Sequence, residues 1–412
     1  MEIRPILSTL MRHKTAAALI VLEIALTCAI ICNALFMIGA RISQLREVSG
    51  LAENELVRVY ITGIGSDDNA EAQTRSDLAL LRGLPGVTGA TMMNQVPFVN
   101  SSWNSGINLR QDQQQPTANA TVYMAEDKFV DTLGLKIVAG RDFNPDEFVE
   151  FEAFQGAGPA REAGIPAAII TSALAEKLFP GEDPVGKTFY SWGDAPIRIV
   201  GIVEHLVRPS MQGGPTQRDY SMVFPIRTHY NVGGNYVIRT SPERRDEIIK
   251  AASDALRGNG GNRIILEDGT KSFSQLRHEF YQQARSMAWL LGVVCIGLLL
   301  ITALGIVGLA SFWVQQRTKQ IGVRRALGAT KGQILRYFQT ENFLLATIGI
   351  VIGMTLAFGI NQVLMSKYEL PRLPLYYLPI GALALWVLGQ VAVFGPARRA
   401  AAVPPAIATR SV

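Results

Sequence analysis

The sequence predicts an α-helical membrane protein with four transmembrane helices and a large α+β extracytoplasmic domain standing on helical stalks. Three observations lead there. Four long apolar runs are almost free of charge, basic residues gather beside those runs, and one long segment between the first two reads as mixed α and β. The mean hydropathy of +0.19 fits, because a soluble chain of this length needs more charged surface.

The runs cover residues 16–40, 287–314, 343–365 and 375–394. Each reaches the ~20 residues with which a helix crosses a bilayer. The first follows Arg12 and Lys14 as a signal peptide would, but it is too long for an h-region and no small-residue cleavage site stands out, so it reads as a retained anchor. Its one charge is Glu23. A carboxylate within a membrane costs roughly 2.5–3.5 kcal/mol, so Glu23 is expected to face protein. It reads as a structural partner across a dimer or from another span, protonated or bonded to a hydroxyl such as Thr302, with a transport role as the alternative. In the third run Gly349 and Gly353 form a GxxxG pair that marks close helix packing and is weak support for dimerisation.

Charge orients the spans. Arg4, Arg12 and Lys14 stand before the first span. Arg317, Lys319, Arg324, Arg325, Lys331 and Arg336 lie between the second and third, and Arg398, Arg399 and Arg410 follow the fourth. Against these twelve basic residues stand only Glu2 and Glu341, while the whole chain is +5. The basic segments belong in the cytoplasm, which puts both termini inside and residues 41–285 outside. The pI near 9.1 thus reports topology, and no nucleic-acid partner is expected. The three cysteines, Cys28, Cys32 and Cys295, all lie in spans. The outer segment must therefore fold on its core alone, and its roughly 245 residues can bury one or two cores.

Within the outer segment, residues 55–62, 87–93, 134–140, 167–171, 197–203, 222–225, 236–239 and 263–266 read as strands or turn-and-strand, and 69–82, 172–179 (capped by Ser172) and 242–256 as helices. Residues 100–108 read as a polar loop whose Trp103 is an ordinary loop residue, contact with a partner or cargo being the alternative. Residues 123–133 read as a short helix and 143–166 as an irregular insertion. From Ser272 the apolar residues Phe273, Leu276, Phe280, Ala284 and Met287 recur every three or four positions. One continuous helix over 272–314, a stalk running into the second span, is expected, with two helices bent at the interface as the alternative.

Residues 181–188, from Gly181 through Gly186, Lys187 and Thr188, match a nucleotide-binding P-loop by letter. A P-loop follows a strand and opens a helix. Here a helix precedes and a strand-like run follows, so the segment reads as a Pro/Gly turn. No metal or cofactor is expected on this chain: the four histidines lack ligand spacing, and no nucleophile–base pair gives a reason to make it an enzyme.

The segment 315–341, QQRTKQIGVRRALGATKGQILRYFQTE, is basic and partly apolar. Ile321, Val323, Leu327, Ile334, Leu335 and Phe338 could make one amphipathic face, which by itself fits a membrane-surface helix. The order of its residues says more. Arg317, Thr318, Lys319, Gln320, Ile321, Gly322, Val323, Arg324, Arg325, Ala326, Leu327, Gly328 and Ala329 resemble the R-T-[RK]-E-I-G-[IV]-R-[RM]-A-[LV]-G-A pattern of the MacB/FtsX-like ABC permeases, Gln320 replacing the usual glutamate. Pro396 to Ala401 resemble that family's closing P-A-x-x-A. In the outer segment, Leu133-Gly134-Leu135, Gly140 to Phe143 and Leu178 to Lys187 resemble further family motifs, the last accounting for the false P-loop.

The resemblance implies a dimeric permease with a two-part external domain, porter-like and β-rich. The implied organisation is a cytoplasmic N-terminus at 1–15, a first span at 16–40, a periplasmic core domain at 41–271, stalk and second span at 272–314, a coupling segment at 315–341, a third span at 342–365, a short loop at 366–374, a fourth span at 375–394 and a cytoplasmic tail at 395–412. A cytoplasmic ATPase, expected as a separate chain because so few residues precede the first span, would dock on Arg317, Lys319, Gln320, Ile321, Gly322, Val323, Arg324, Arg325, Ala326, Leu327, Gly328 and Ala329. That ATPase would use ATP and Mg. Its motion would pass through the stalks to the external domain, for efflux of a substrate from the periplasm. Implied partners are a second permease, identical or not, a periplasmic adaptor with an outer-membrane channel, and lipid. The implied place is the bacterial inner membrane. An FtsX-like signal transmitter governing a cell-wall hydrolase is the alternative.

Overall fold

The computed structural model describes residues 14–65, 67–155, 162–211, 214–368 and 372–404. The basic residues Arg4, Arg12 and Arg410, the acid Glu2, and residues 156–161 of the irregular insertion lie outside the described residues. The chain divides into two compact units, one of residues 1–46 with 283–412 and one of residues 47–282.

Along the chain come α1 (Lys14–Leu45), β1 (Leu56–Gly63), α2 (Ala70–Arg82), β2 (Val87–Met93), β3 (Asn104–Ile107), β4 (Ala118–Met124) and α3 (Phe129–Leu133). Next are β5 (Ile137–Gly140), β6 (Val149–Glu150), α4 (Phe151–Gln155), β7 (Ala167–Thr171), α5 (Ser172–Leu178), β8 (Thr188–Phe189) and β9 (Ile197–Val203). Then follow β10 (Ser221–Phe224), β11 (Ile226–Arg227), β12 (Asn235–Thr240), α6 (Arg245–Gly258), β13 (Arg263–Ile265), β14 (Lys271–Ser272) and α7 (Phe273–Phe280). The chain closes with α8 (Gln282–Gln316), α9 (Thr318–Ala326), α10 (Lys331–Tyr368) and α11 (Tyr377–Ala401).

In the first unit α1, α8, α10 and α11 are each long and apolar enough to cross a membrane. They share a core that includes Ile24, Cys28, Ile306, Leu345, Ile350 and Leu385. A Cβ on Gly349 would stand 2.9 Å from Ile24, and one on Gly353 2.5 Å from the Cβ of Cys28. The GxxxG pair therefore seats α10 against α1 of the same chain and offers no support for dimerisation.

Among the described residues the second unit holds two large sheets and a small one made of β6 and β11. In one large sheet the order is β13-β1-β12-β2, with β14 also paired to β1. Val57, Val59 and Ile61 alternate onto the face that packs with Leu78 and Leu81 of α2 and Ile248 and Leu256 of α6. The other sheet runs β3-β4-β10-β7-β9-β5, with β8 on β9. Ile170, Ile199, Met222 and Phe224 form its core with Leu174 and Leu178 of α5. Buried Asp77 accepts the phenol of Tyr236 at 2.6 Å and pairs with Arg263, so neither charge is left alone.

Four sequence expectations change. Tyr123 and Met124 end β4, and only Phe129–Leu133 is helical. The polar loop over 100–108 contains β3. Ser172 does not cap its helix; its hydroxyl donates to the Val203 carbonyl at 3.2 Å. The helix expected over 272–314 is interrupted at Tyr281, whose φ of −92° and ψ of 7° leave the α region. Tyr281 is only 1% exposed, held edge-on to Phe98 and Phe280, and its hydroxyl donates to Glu47 at 2.7 Å. Burying this ring within the second unit offsets the lost helical turn, and no proline or glycine announces it. At the start of α7, Ser272 forms a capping box with Gln275.

Candidate functional site

The site is the connection from α8 through α9 into α10. Arg317 interrupts the helix at the N-cap position of α9, with φ −102° and ψ 7°. Its guanidinium, 8% exposed at the side chain, donates to both carboxylate oxygens of Glu341 at 3.0 and 2.9 Å and lies over the Trp313 ring. Glu341 belongs to α10, so the pair clamps the two helices that flank α9.

The end of α9 is written in the order Arg324-Arg325-Ala326-Leu327-Gly328-Ala329. Gly328 takes φ +96°, the left-handed conformation that only glycine enters without a penalty. The Ala329 amide donates to the Arg324 carbonyl at 3.0 Å and the Gly328 amide to the Arg325 carbonyl at 3.1 Å, which is a Schellman motif. One residue on, Thr330 and Gln333 exchange the two hydrogen bonds of a capping box and start α10. A Cβ on Gly328 would meet nothing within 4 Å, so its role is backbone conformation rather than close approach.

The proposed amphipathic face separates into two. Ile321 is buried with Val314, Ile334 and Phe338 against Ala397, Ala400 and Ala401 of α11, while Val323 is 46% and Leu327 83% exposed. The three alanines are spaced three and four apart, hence on one helical face, and their small size lets α9 lie close. Arg325 turns back to donate to the carbonyls of Ala401 and Val403 at 3.1 and 2.8 Å, capping α11. Gly322 is buried in mid-helix, and Ala329 is half-buried. Lys319, Gln320, Val323, Arg324, Ala326, Leu327 and Gly328 face outward. Arg317, Ile321 and Arg325 therefore build the segment, while the outward residues lie off its packed face, Arg324 among them with its guanidinium 5.1 Å over the Tyr337 ring. Glu341 is the partner that sequence reading passed over, although a lone acid in a basic segment beside a span asks for a cation.

Glu23 sits apart from this site. Its carboxylate lies against Gly305 of α8, where a Cβ would come within 2.5 Å of an oxygen. Thr302, the hydroxyl offered to it, instead bonds Thr27 at 2.9 Å. The P-loop-like turn lies between α5 and β8, and Lys187 there pairs with Glu182 and covers the Phe179 ring, an arrangement without the helix that a phosphate loop opens.

Two family models match. The MacB-like periplasmic core domain covers residues 18–256 and the FtsX-like permease C-terminal domain residues 292–405. The chain belongs to the MacB/FtsX-like ABC transporter permease family. It is 24% identical over 99% of its length, and 98% of the relative's, to the uncharacterized ABC transporter permease YknZ of Bacillus subtilis. It is 25% identical to the macrolide export ATP-binding/permease protein MacB of Acinetobacter baylyi over 90% of this chain, which is 53% of that protein. The solved extracellular domain of YknZ matches 51% of this chain at 19% identity with a TM-score of 0.31. The FtsX-like match in this MacB/FtsX-like chain includes the α8–α9–α10 connection just described.

Proposed function

We propose that this chain is the permease subunit of an ABC-type exporter, that a separate cytoplasmic ATPase docks on α9, and that ATP-driven motion passes to the external domain to expel a substrate from the periplasmic side. The observation that carries the reading is Leu327. An apolar side chain 83% exposed at the tip of a helix whose other face is fully packed is a contact surface without its partner. Val323 and Arg324 stand on the same outward side. ATP and Mg are used by the partner in this reading, and the chain itself binds no nucleotide. The name of the MacB relative joins ATP-binding to permease, while this chain spans about half of it. The permease works as a pair in the cytoplasmic membrane, with both termini inside.

Leu327→Asp should abolish co-purification with an ATPase encoded beside this chain, while expression and melting of the chain are unchanged. Normal recovery of the ATPase by the variant would sink the coupling assignment. Topology is read separately by a membrane-impermeant thiol reagent. The three native cysteines are buried and give little background. Asp112→Cys should label from outside intact cells and Lys331→Cys only after permeabilisation.

A further inference from the structure

Strand β1 alternates Val57, Val59 and Ile61 into one core and puts Arg58 and Tyr60 on the opposite face of the sheet. That face is covered, for Arg58 is only 7% exposed. Its guanidinium lies 4.0 Å over the Tyr60 ring. Apart from that contact it makes no ion pair or hydrogen bond with any described residue, and its buried Nε has no acceptor. Cation–π attraction satisfies none of its five N–H donors. Lys271, opposite Arg58 on β14, is committed to Glu279 at 2.8 Å. Burial lowers the pKa of Arg58 to about 10, the Tyr60 phenol opposing this, and leaves it a cation at neutral pH. A buried, unpaired charge is costly enough to require an explanation.

Arg58 lines a cavity of about 550 Å³ within the external unit. Asn235, opposite Tyr60 on β12, lines it too. The Asn235 Nδ2 donates to the carbonyls of Met93, Asn94 and Gly233 at 3.1, 3.1 and 2.7 Å. Those bonds fix the amide's orientation and leave its buried Oδ1 as an acceptor with no partner. One wall is apolar, made by Val96, Val99, Leu266 and the half-exposed Trp103. Trp103 is held in place through its backbone, its N–H donating to Gln95 Oε1 at 2.8 Å. The only other charge in the lining is Asp268, which makes the wall neutral overall and suits a singly charged anion better than a phosphate dianion.

An unpaired cation beside an apolar wall in one cavity is complementary to a carboxylate with an apolar side chain next to it. We propose that the cavity binds the carboxylate end of an acylated amino acid or peptide, Arg58 taking the terminal carboxylate and the Trp103 wall packing the side chain. The site is independent of the ATPase reading, since it belongs to the external unit alone.

The test uses the full chain in lipid nanodiscs without ATPase. Three probes are titrated by calorimetry: N-acetyl-leucine, N-acetyl-Ala-Ala-Leu, and the C-terminal amide of that tripeptide. At least one acid should bind saturably, and the amide should bind the tripeptide's site roughly tenfold or more weakly, the scale of a lost charge-assisted pair. Equal affinity of the two acids identifies a free acylated amino acid as the natural ligand class, and a tighter tripeptide identifies a peptide end. Arg58→Gln should weaken the acids by the same factor and leave the amide unchanged. Trp103→Ala, on a half-exposed side chain, should weaken acid and amide alike. If Arg58→Gln does not fold, the acid-against-amide difference in the unaltered chain still decides. Equal binding of acid and amide, unchanged acid binding by Arg58→Gln, or no binding of any probe up to roughly 10 mM, about 2.7 kcal/mol of affinity, overturns the proposal.

Discussion

Helix α8 is bounded at its two ends by single residues that leave the helix in nearly the same way. Tyr281 has φ −92° and ψ 7°, and Arg317 has φ −102° and ψ 7°. Both are almost wholly buried, yet the chemistry differs. At Tyr281 the break is made by a neutral aromatic ring among aromatic neighbours, and the charges lie around it. Glu47 accepts from Tyr281 and also from Arg218 at 2.9 Å, while Arg218 keeps further bonds to the carbonyls of Arg208 and Ser210. Arg277 pairs with Glu53 nearby. At Arg317 the charge is the breaking residue itself, and it pairs with Glu341 across the helix hairpin. The external joint spreads its bonds over several partners. The joint at Arg317 concentrates them in one buried pair, and buried pairs fail when one member is lost.

The largest effect should therefore come from Glu341→Ala, which strands a buried guanidinium and should destabilise the solubilised chain by about 3–5 kcal/mol in chemical unfolding. Replacing both members, Arg317→Met with Glu341→Leu, should recover much of that loss. Glu47→Ala should cost about 2 kcal/mol, because Arg218 retains two carbonyl partners. Were Glu341→Ala no worse than Glu47→Ala, the contrast between concentrated and shared joints would fail. Tyr281→Phe keeps the ring and loses one hydrogen bond, for about 1 kcal/mol.

The pH dependence sharpens the same point. Burial, followed by the bond to Glu47, raises the Tyr281 phenol to about 12 from its ordinary 10. A raised pKa contributes stability that is fully present below pH 10 and lost as pH rises through 12. Tyr281→Phe should reduce the alkaline loss of stability by its own share. The smallest effect on stability, within about 0.5 kcal/mol, is expected for Leu327→Asp, since that side chain packs on nothing in the isolated chain.

Much of this architecture was legible because the membrane spans and core strands are chemically loud. Residues 87–93, 167–171 and 197–203 are strands at the positions their β-branched runs indicate. Strand β4, ANATVYM, is quieter: its first half is small and polar, and the helical reading of its neighbours ran over its end. The break at Tyr281 could not be read, because a residue with good helical neighbours leaves the helix only when its side chain is worth more elsewhere. The segment 315–341 was visible as a pattern, but its division into inward and outward residues depends on Ala397, Ala400 and Ala401, some 70 positions away. The alternation over residues 55–62 marks a strand, but that Arg58 is buried on its second face depends on packing from distant segments.

The hold of Arg325 on the Ala401 and Val403 carbonyls also gives the chain's tail a use as an instrument. Whatever tilts or lifts the short helix must either drag the end of α11 along or snap those two bonds. Ala402 sits between the two anchored carbonyls and is exposed. A spin label or fluorophore on Ala402→Cys would then register the arrival of an ATPase from a position that the ATPase need not touch.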